Sequence, residues 1–518
     1  MLNYRKALIL SSAPITLETP PAALAFLAGI CNYSSLEYEI FDFNLYLFKR
    51  LGQEQWSHLS VNTTTQIEDW DKFAGVDVTL IHDILNEAVS VIKNSQADLI
   101  LFTVFSAQQH WWSEILLSTI RSHTNAIIIA GGSGISYDIG SKTFGRKLLD
   151  NDLIDYSVNG EGDLVLTEFL NGNVQLGVNS KFDKFDTWVP QIDNLNNLPI
   201  SSYIKINFLD YFNSVENTSI IITGSRGCVR RCTFCDVGKI WKKFRFRSSD
   251  DIFSEIMKHY NETKILKFRL SDSLINGSLK QFINLLEKIS YEKVKNSNIE
   301  NINLSGYFIV RPRTQHPERM YELMSESGAN QIIIGVESGS ERIRDHMGKK
   351  FSNDDIDYHL MMCSKFGIKN TILLLTGYPT ETIEDHNDTL LMLERYQKYL
   401  LDKTITRINI GNPMIIYKDT PIWEMRHELG IEFFNDEYAN ITGWNSNSNP
   451  ALSTLERFRR FAEIIATGIK LQYNFSDPGS IAIALKQYSF FKDNKAANYK
   501  FNSTEIANIH IDTIVKSA

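Results

Sequence analysis

The sequence predicts an α/β protein with two successive regions of alternating strands and helices, followed by a mainly helical C-terminal region. Residues 1–170 alternate short apolar runs with longer amphipathic stretches, which is typical of a doubly wound, Rossmann-like parallel sheet. Residues 219–423 repeat the alternation six times, which suits a partial (β/α)6 barrel of the TIM type. A chain of 518 residues is too long for one core. The predicted segments are 1–170, 171–217 (a polar connector), 218–425 and 426–518.

The first region carries five predicted strands with helices between or after them. The strands are Lys6–Leu10, Tyr38–Phe41, Leu99–Thr103, Ala126–Ile129 and Tyr156–Val158, and the helices are Pro21–Asn32, Ile81–Lys93, Trp112–Ser122 and Leu164–Leu170. Ligands of doubly wound sheets bind beyond the carboxyl ends of the strands. Ser106, Gly131, Gly132 and Gly160 fall at such ends, and glycine allows close approach of the backbone to a ligand. The polar insert 52–76 carries no functional prediction.

The second region carries six predicted strands. These are Ser219–Thr223, Ile265–Leu270, Asn303–Phe308, Gln331–Gly335, Thr371–Leu375 and Arg407–Gly411, with helices at Asp250–Tyr260, Leu279–Ile289, Pro317–Ser325, Asn353–Phe366 and Glu384–Tyr399. Barrel chemistry collects at the carboxyl ends of the strands. Thr382 precedes a helix and is expected to cap it. Ser453–Gln472 is amphipathic and predicted to be helical, and 474–518 is polar.

Three of the five cysteines, Cys228, Cys232 and Cys235, fall on one loop just after a predicted strand. Three thiolates spaced C-x3-C-x2-C can bind one face of an iron–sulfur cluster. Such clusters normally have four cysteine ligands. No fourth cysteine lies nearby, so one iron of a 4Fe–4S cluster would stay open to a small molecule. Zinc is disfavoured, because structural zinc takes four closed ligands and no histidine lies between His123 and His259. The least favoured alternative is three structural cysteines in a core.

Charge and composition narrow the function classes. The chain is 43% apolar and 22% charged, with a net charge of −8 and a pI of about 5.8, which disfavours non-specific nucleic-acid binding. No stretch approaches 18 apolar residues, so no membrane span is predicted. The few, clustered cysteines predict a reducing, cytoplasmic location. Between Arg226 and Arg247 lie eight cations and one acid. Such a field would stabilise an anionic cluster and an anionic ligand, with a solvated surface as the alternative for 242–247.

With Phe234 directly before the third cysteine, the motif resembles the signature of the radical S-adenosylmethionine (SAM) enzymes. The resemblance implies that the open iron binds SAM, and that an electron from the cluster cleaves SAM to methionine and a 5′-deoxyadenosyl radical. It also implies SAM contacts at the ends of the predicted strands. The implied contact residues are Phe234 at the adenine, Ser271, Asp272 and Ser273 near the amino group, Arg311, Glu337 with Ser338 at the ribose or amino group, and Lys349 or Arg344 at the carboxylate.

The first region resembles the cobalamin-binding domain that precedes many radical SAM enzymes. The matching stretches are PPAALAFLAG at 20–29, the strand at 97–106, AGGS at 130–133 and NGEGD at 159–163. The resemblance implies cobalamin at the rim of Ser106, Gly131, Gly132 and Gly160. The D-x-H-x-x-G motif, whose histidine ligates cobalt in other cobalamin proteins, is absent. Some members keep the fold without a demonstrated cofactor, so a chain without cobalamin stays an alternative.

The resemblance implies a radical SAM enzyme, most directly a cobalamin-dependent methyltransferase acting on an unactivated carbon of a biosynthetic substrate. One alternative is a cyclisation, rearrangement or oxidation without methyl transfer. A more remote alternative is a non-catalytic iron–sulfur electron carrier or sensor. The implied partners are a small-molecule or peptide substrate and an electron donor such as flavodoxin or ferredoxin, with no nucleic acid and no membrane. No second cysteine cluster is present for an auxiliary iron–sulfur site.

Overall fold

A computed structural model describes residues 4–61, 77–139, 142–173, 177–211, 218–433 and 443–476, together with Ile481, Ala484, Leu485, Tyr488 and Ser489. Among these residues the chain divides into two compact units. The first holds the residues up to Ile222 and the segment Ser254–Ile265, and the second holds Thr223–Phe253 and the residues from Leu266 onward. The division into four segments stays a prediction. No described helix combines the length and apolarity that crossing a membrane requires.

The first unit is a doubly wound α/β fold, as predicted. Its strands are β1 (Lys6–Ser11), β2 (Glu37–Asp42), β3 (Leu99–Thr103), β4 (Ile127–Gly131), β5 (Asp138–Ile139), β6 (Lys142–Thr143), β7 (Tyr156–Val158), β8 (Val178–Asn179) and β9 (Ile220–Ile222), and its helices are α1 (Ala22–Tyr33), α2 (Phe43–Val61), α3 (Val78–Ser95), α4 (His110–Arg121), α5 (Phe144–Asp150) and α6 (Gly162–Leu170). The main sheet has the order β2-β1-β3-β4-β7-β8. All its pairs are parallel except β7 with β8.

The strands of the first unit are apolar because they are buried in its core. Residues 7–10 and 99–102 are almost fully buried, as expected for central parallel strands with both faces covered by helices. Trp112, Phe43 and Phe144 lie in the same core, and burying such a side chain contributes roughly 1.5–3 kcal/mol. The order places the topological switch between β1 and β3. The carboxyl ends of β3, β4 and β7 therefore form one edge, where the predicted rim lies.

The predicted connector contains local structure within the first unit. Val178–Asn179 pairs with β7, and the hydroxyl of Tyr211 donates to the buried Asp42 carboxylate at 2.7 Å. Ser201 donates to Glu255 at 2.9 Å, and its hydroxyl lies 3.0 Å from Nε2 of His259. The segment Ser254–Ile265 is therefore part of this unit through buried hydrogen bonds.

The second unit is built on parallel strands that pair in the order β16-β15-β14-β13-β12. Its strands are β10 (Ser225–Arg226), β11 (Arg245–Phe246), β12 (Lys267–Leu270), β13 (Asn303–Phe308), β14 (Gln331–Glu337), β15 (Lys369–Leu374), β16 (Ile405–Asn409), β17 (Ile431–Phe433) and β18 (Trp444–Ser446). Its helices are α7 (Val237–Ile240), α8 (Ser249–Thr263, ending in the first unit), α9 (Leu279–Lys295), α10 (Glu318–Ser327), α11 (Glu341–His346), α12 (Asn353–Phe366), α13 (Ile383–Tyr396), α14 (Lys398–Leu401), α15 (Pro421–Glu424) and α16 (Thr454–Lys470).

All six strands predicted for this region are present, counting β9 directly before Thr223. The predicted helix 384–399 is two helices, α13 and α14. The amphipathic segment is α16, capped by Ser453, whose hydroxyl accepts from the backbone N–H of Glu456 at 3.2 Å. Most of the polar segment 474–518 and of the insert 52–76 lies outside the described residues.

Candidate metal and cofactor sites

The cysteine loop is closed at its base by a short antiparallel pair. Ser225 pairs with Phe246 and Arg226 with Arg245. This pair of strands, called the neck below, joins the two ends of the loop 227–244. Gly227 has φ +84°, and a Cβ there would lie 2.4 Å from the carbonyl oxygen of Lys243. Only glycine fits this close crossing. The neck therefore fixes where the loop, with its three thiols, starts and ends.

The three cysteines line one cavity of about 330 Å³. Cys228, Cys232 and Cys235 are each half-buried and free. The backbone N–H of Arg230 lies 3.3 Å from Sγ of Cys228, and the N–H of Cys235 donates to the carbonyl of Cys232 at 3.2 Å. Among the described residues, no three His, Cys, Asp or Glu side chains are placed to hold a single metal ion. The loop therefore fits a cluster, in which each thiolate binds a different iron, better than zinc.

Burial raises the pKa of all three thiols, that of Cys235 to about 12. The positive charge of Lys349 opposes this rise at Cys228 and Cys232, and Arg230 and Arg311 also oppose it at Cys228. Thiolates rather than thiols bind metals, so loading of iron must release these protons. The nearby cations are the groups that favour the charged, metal-bound form.

Thr233, between two of the cysteines, attaches the loop to three other segments. Its N–H donates to the carbonyl of Met347 at 3.0 Å, and its carbonyl accepts from the N–H of Ile422 at 2.8 Å. Its hydroxyl lies 2.9 Å from that of Tyr378. Neither Thr233 nor Tyr378 was a predicted site residue, although Tyr378 lies in the turn Gly377–Thr382 that follows β15. The available signal was the position of Thr233 inside the motif.

Phe234 packs against an apolar cluster beside this attachment point. The buried members of the cluster are Ile343, Met347, Tyr378, Met414, Ile416, Ile422, Ile431 and Trp444. The ammonium of Lys349 lies 5.6 Å from the centre of the Phe234 ring. Phe234 is thus held on one side and close to Lys349, and its predicted contact with adenine stays a prediction.

Glu337 and Lys349 form an ion pair at the end of β14. Nζ of Lys349 lies 2.7 Å from Oε1 of Glu337, with only 11% and 9% of the two side chains exposed. A Cβ at Gly335 would lie 2.5 Å from Oε1 of Glu337, so this glycine makes room for the pair. Burial alone lowers an ammonium pKa, but Glu337 and the Cys232 thiol hold the pKa of Lys349 above its ordinary value. Lys349 was predicted to pair with the SAM carboxylate; here it contacts Glu337.

Glu337 also has an uncommon backbone conformation. Its φ is +68°, and the strand register shifts between Gly335 and Glu337. A side-chain-bearing residue in this region costs of order 1 kcal/mol, and such residues cluster at functional sites. The bend directs the chain that follows β14 away from the hydrogen-bond ladder of the sheet. Nothing in the local sequence signals it.

The motif after β12 contributes chiefly through Asp272. Its carboxylate accepts from the N–H of Gly224 at 2.7 Å, at the entrance to the cysteine loop. Burial raises its pKa to about 6 against the opposing hydrogen bonds of Ser225 and Gly224. Ser271 is exposed, Ser273 is half-buried, and the hydroxyl of Ser271 lies 3.3 Å from that of Thr223. Asp272 therefore anchors the loop, and SAM contact by these three residues stays a prediction.

Arg311 lies near the thiols, whereas Ser338 and Arg344 are turned into the fold. Arg311 donates to the carbonyls of Asn276 and Gly277 at 3.2 and 3.1 Å, and its charge acts on Cys228. The hydroxyl of Ser338 accepts from the backbone N–H of Ser340 at 3.1 Å. The fully buried Arg344 donates to the carbonyl of Ser338 at 2.7 Å. Arg344 therefore supports the turn after β14, and its contact with the SAM carboxylate stays a prediction.

Two buried arginines of α16 support the turn Gly377–Thr382. Arg460 donates to the Glu381 carboxylate at 2.9 Å, and the other oxygen of Glu381 accepts from the N–H of Gly377 at 2.9 Å. Arg457 lies 3.7 Å from the Trp444 ring. A Cβ at Gly377 would lie 2.7 Å from Cδ of Arg457. The C-terminal helix thus holds the turn that carries Tyr378.

The predicted cobalamin rim lies in the first unit. Gly132 has φ +102°, and a Cβ there would lie 2.4 Å from the carbonyl oxygen of Val104. The close approach that this glycine allows is therefore to the backbone of Val104. A Cβ placed at Gly131 would meet no close neighbour, so this position is open. Ser106 caps the turn Ala107–Gln109. Gly160, with φ +103°, is covered on one side by Trp188 and Val189.

Asn159, next to Gly160, carries buried polar atoms that agree with a ligand or ordered water at the rim. Asn159, at the end of β7, is fully buried, and neither its amide nitrogen nor its amide oxygen has a hydrogen-bond partner. The hydroxyls of Ser136 and Ser157 are likewise buried without partners. Orphaned buried groups cost free energy unless something satisfies them. With the strand order β2-β1-β3-β4-β7 and the open Gly131, the rim fits a cofactor rich in amide and phosphate groups.

Comparison with known proteins finds similarity over the cysteine loop and the strands that follow it. Residues 222–393 match the model of the radical SAM superfamily. The chain is 22% identical over 350 residues to an uncharacterized methyltransferase of Pyrococcus horikoshii, covering 65% of this chain and 71% of that protein. It is 24% identical over 317 residues to cytidylyl-2-hydroxyethylphosphonate methyltransferase of Streptomyces wedmorensis, covering 53% of this chain and 57% of that one.

A solved structure matches nearly the whole chain. It is the radical SAM methyltransferase TsrM from Kitasatospora setae with cobalamin and a [4Fe–4S] cluster bound, at a TM-score of 0.63 and 16% identity. The match covers 99% of this chain and 98% of that one. At this identity the likeness shows a common fold.

Proposed function

We propose, on the premise that residues 222–393 form a radical SAM domain, that this protein is a cobalamin-dependent radical SAM methyltransferase. Its substrate is a small molecule or peptide, methylated at an unactivated carbon. The observation that carries the proposal is the combination of two features in one chain. Three thiols share one cavity in the second unit, and the first unit has the strand order β2-β1-β3-β4-β7.

When bound, the cluster supplies the electron that cleaves SAM, and cobalamin supplies a carrier for the methyl group. Cys228, Cys232 and Cys235 hold the cluster and leave one iron for SAM. Glu337 receives Lys349 on Oε1, and we assign its second oxygen, Oε2, to the SAM ribose or amino group. Lys349 orients that carboxylate by a charge-assisted hydrogen bond.

Radical chemistry without methyl transfer is the second candidate. Two features favour it, because they explain the glycines of the rim without a bound cofactor. Gly132 is explained by its contact with Val104 alone, and Gly160 is covered by Trp188 and Val189. A function that needs an auxiliary cluster is disfavoured. The two remaining cysteines, Cys31 and Cys363, are buried, and burial raises the pKa of each to about 12.

Anaerobic reconstitution with iron and sulfide tests the metal assignment. We expect about four irons per chain and a loss of most of this iron in Cys228→Ala, Cys232→Ala and Cys235→Ala. Cys363→Ala is the matched control, because its thiol is buried away from the loop, and it should keep its iron. Full iron content in the three loop variants would refute the assignment.

Methyl transfer is tested with cobalamin supplied and SAM carrying a labelled methyl group. We expect a visible spectrum of bound cobalamin without a histidine ligand, and label that moves to cobalamin and then to substrate. A protein that excludes cobalamin yet forms 5′-deoxyadenosine from SAM would leave the second candidate standing. A protein that holds iron but never cleaves SAM would leave only the electron carrier.

We also propose that the protein receives electrons from a one-electron donor protein of the flavodoxin or ferredoxin class, and that it is cytoplasmic. Cluster chemistry of this kind consumes low-potential electrons. All five cysteines are free thiols, which suits a reducing compartment.

A further inference from the structure

The parallel strands of the second unit have one buried face and one open face. The buried face is apolar and almost fully covered, and includes Phe268, Leu304, Ile332, Ile372 and Ile408. Phe308, on this face of β13, has its ring centre 6.1 Å from that of Phe282 on α9 and 5.6 Å from that of His359 on α12. The helices therefore cover this face. The opposite face is the interior of the partial barrel.

Mostly polar side chains line this interior in two rows that the strand register defines. The lower row, nearer the amino ends of the strands, runs across β12 to β15 through Arg269, Ser305, Gln331 and Lys369. The upper row runs across β13 to β16 through Tyr307, Ile333, Thr371 and Arg407. The exposed members of the two rows are Arg269, Tyr307, Gln331, Lys369 and Arg407. Because parallel sheets normally have both faces covered, this interior is open to a ligand.

The two rows are positively charged. They contain three cations, Arg269, Lys369 and Arg407, and no acidic residue. Among the described residues, the side chains of these three cations form no ion pair and no hydrogen bond. Lys369 and Arg407 are on neighbouring strands and one row apart, so their Cα atoms lie about 8 Å from each other. Two long basic side chains at this spacing can bind one anionic group.

The Glu337–Lys349 pair lies at the upper end of the same face. Gly335 follows Ile333 by two residues in β14 and so shares its face. A Cβ at Gly335 would lie 2.5 Å from Oε1 of Glu337 and 2.7 Å from Nζ of Lys349. Ile333 is in the row of Arg407 and four residues before Glu337, roughly 13 Å along the strand. A ligand that reaches from Arg407 to this pair is therefore elongated.

We infer that the interior of the partial barrel binds a phosphate group of the substrate between Lys369 and Arg407, with Arg269 as a third cation on the same face. The inference rests on the proposed function and adds the substrate class, an elongated phosphate ester. Such an ester carries a charge of roughly −1.5 to −2 at pH 7, which suits three cations without an acid better than one carboxylate does. The other end of the substrate then faces Glu337, which is assigned to SAM.

Equilibrium dialysis of the anaerobically reconstituted protein against radiolabelled inorganic phosphate tests the site. The double variant Lys369→Gln/Arg407→Gln should weaken phosphate binding by about tenfold or more, because it removes both charged donors. Lys369→Arg/Arg407→Lys keeps both charges and should lose much less affinity. The control Lys280→Gln/Lys470→Gln makes the same change of net charge at exposed positions of the same unit, and it should bind phosphate like the unmodified protein.

Further measurements separate the possible failures. The Lys369→Gln/Arg407→Gln variant should bind SAM with the Kd of the unmodified protein, and weakened SAM binding would assign these cations to SAM and overturn the inference. Acetate at the same concentration should not displace phosphate, and displacement would overturn the choice of phosphate over carboxylate. Absence of saturable phosphate binding, or equal weakening in the control variant, would also overturn the site. A chain that takes up no iron would instead refute the proposed function, because phosphate binding is measured independently of the cluster.

Discussion

At the scale of single residues, Glu337 combines a strained backbone with a largely buried charge. The resemblance to the radical SAM enzymes placed Glu337 at the SAM ribose or amino group. The structure shows that its carboxylate also neutralises Lys349 at 2.7 Å. Removing one partner of a buried pair leaves the other charge without compensation. The stability and the ligand contact of Glu337 are therefore coupled.

A double-mutant cycle measures this coupling. We expect Glu337→Ala to lower the free energy of unfolding by about 3 kcal/mol, because Lys349 loses its partner in a largely buried site. Adding Lys349→Met should restore most of the loss. The surface pair Lys258 and Glu262, 3.1 Å apart, is the control and should show negligible coupling. Urea unfolding checks this, and additive single effects at Glu337 and Lys349 would contradict it.

Two buried histidines of the second unit are held neutral. Tyr321 lies 3.0 Å from Nδ1 of His359, and Nε2 of His359 lies 3.0 Å from Oδ1 of Asn370. The Tyr321 hydroxyl donates and Asn370 accepts, which fits the neutral ring. Burial lowers the pKa of His359 to about 4 and that of His316 to about 3. Phe308 packs against both rings.

These depressed pKa values predict acid destabilisation. The unfolded chain binds a proton near pH 6.5, whereas the folded chain resists it down to about 4. Stability is therefore full above 6.5 and falls as the pH drops below it. By pH 5 each histidine should cost about 2 kcal/mol. His359→Gln should lose less stability between pH 7 and pH 5 than the unmodified protein, while the exposed His82→Gln should lose as much. Parallel pH curves for all three would contradict this.

At the scale of elements, the neck of the cysteine loop is its least expected feature. Arg226 and Arg245 lie directly opposite each other across β10 and β11, where like charges normally repel. Trp241 contacts both guanidinium groups, at 5.4 and 5.7 Å from its ring. Cation–π contacts of this kind offset part of the repulsion. An anionic cluster held inside the loop would offset more of it.

The neck should therefore influence the reduction potential of the cluster. A reduced cluster carries one more negative charge, so nearby cations favour reduction. We expect Arg245→Gln to make the potential more negative by about 60 mV, equivalent to 1.4 kcal/mol for one electron. Arg245→Lys should stay near the original value, as should Lys470→Gln at the exposed end of α16. Redox titration followed by electron paramagnetic resonance checks the order. A shift in Arg245→Lys equal to that in Arg245→Gln would show that charge is not the cause.

Elements with local signals were predictable, and those that depend on distant contacts were not. The bounds of α12 were predicted correctly, because Ser352 and Asp355 form a capping box and Gly367 ends the helix in the left-handed conformation. Thr382 caps α13 as expected. The two-residue strands β10 and β11 have no sequence pattern, because Arg226 and Arg245 pair only across an 18-residue loop. The Glu337–Lys349 pair was missed for the same reason.

At the scale of the whole molecule, the first unit is discontinuous in sequence. Glu255 and His259 complete a buried hydrogen-bond group with Ser201, and Tyr203 packs against the His259 ring at 5.3 Å. A fragment that stops at Ile222 lacks these residues. The compact unit therefore extends past the predicted boundary at 217/218 and takes in the segment Ser254–Ile265.

Fragments test this point directly. We expect residues 1–222 to melt broadly and to be cut rapidly by protease, because Ser201 and Tyr203 lose their buried partners. Extension to Ile265 should restore a cooperative transition. The same extension with Glu255→Ala and His259→Ala is the control and should melt like the shorter fragment. Cooperative melting of residues 1–222 at the temperature of the longer fragment would contradict the prediction.

This discontinuity also sets an order of events during synthesis on the ribosome. The three cysteines leave the ribosome before residues 254–265, which the first unit needs for closure. They also precede Tyr378, which holds their loop, by more than 140 positions. At ordinary elongation rates this interval lasts roughly 7–30 s. During that time the thiols belong to an unfinished chain, so we expect the cluster to be inserted only after Tyr378 has been attached to the loop. Until then, the cell must keep the nascent thiols reduced.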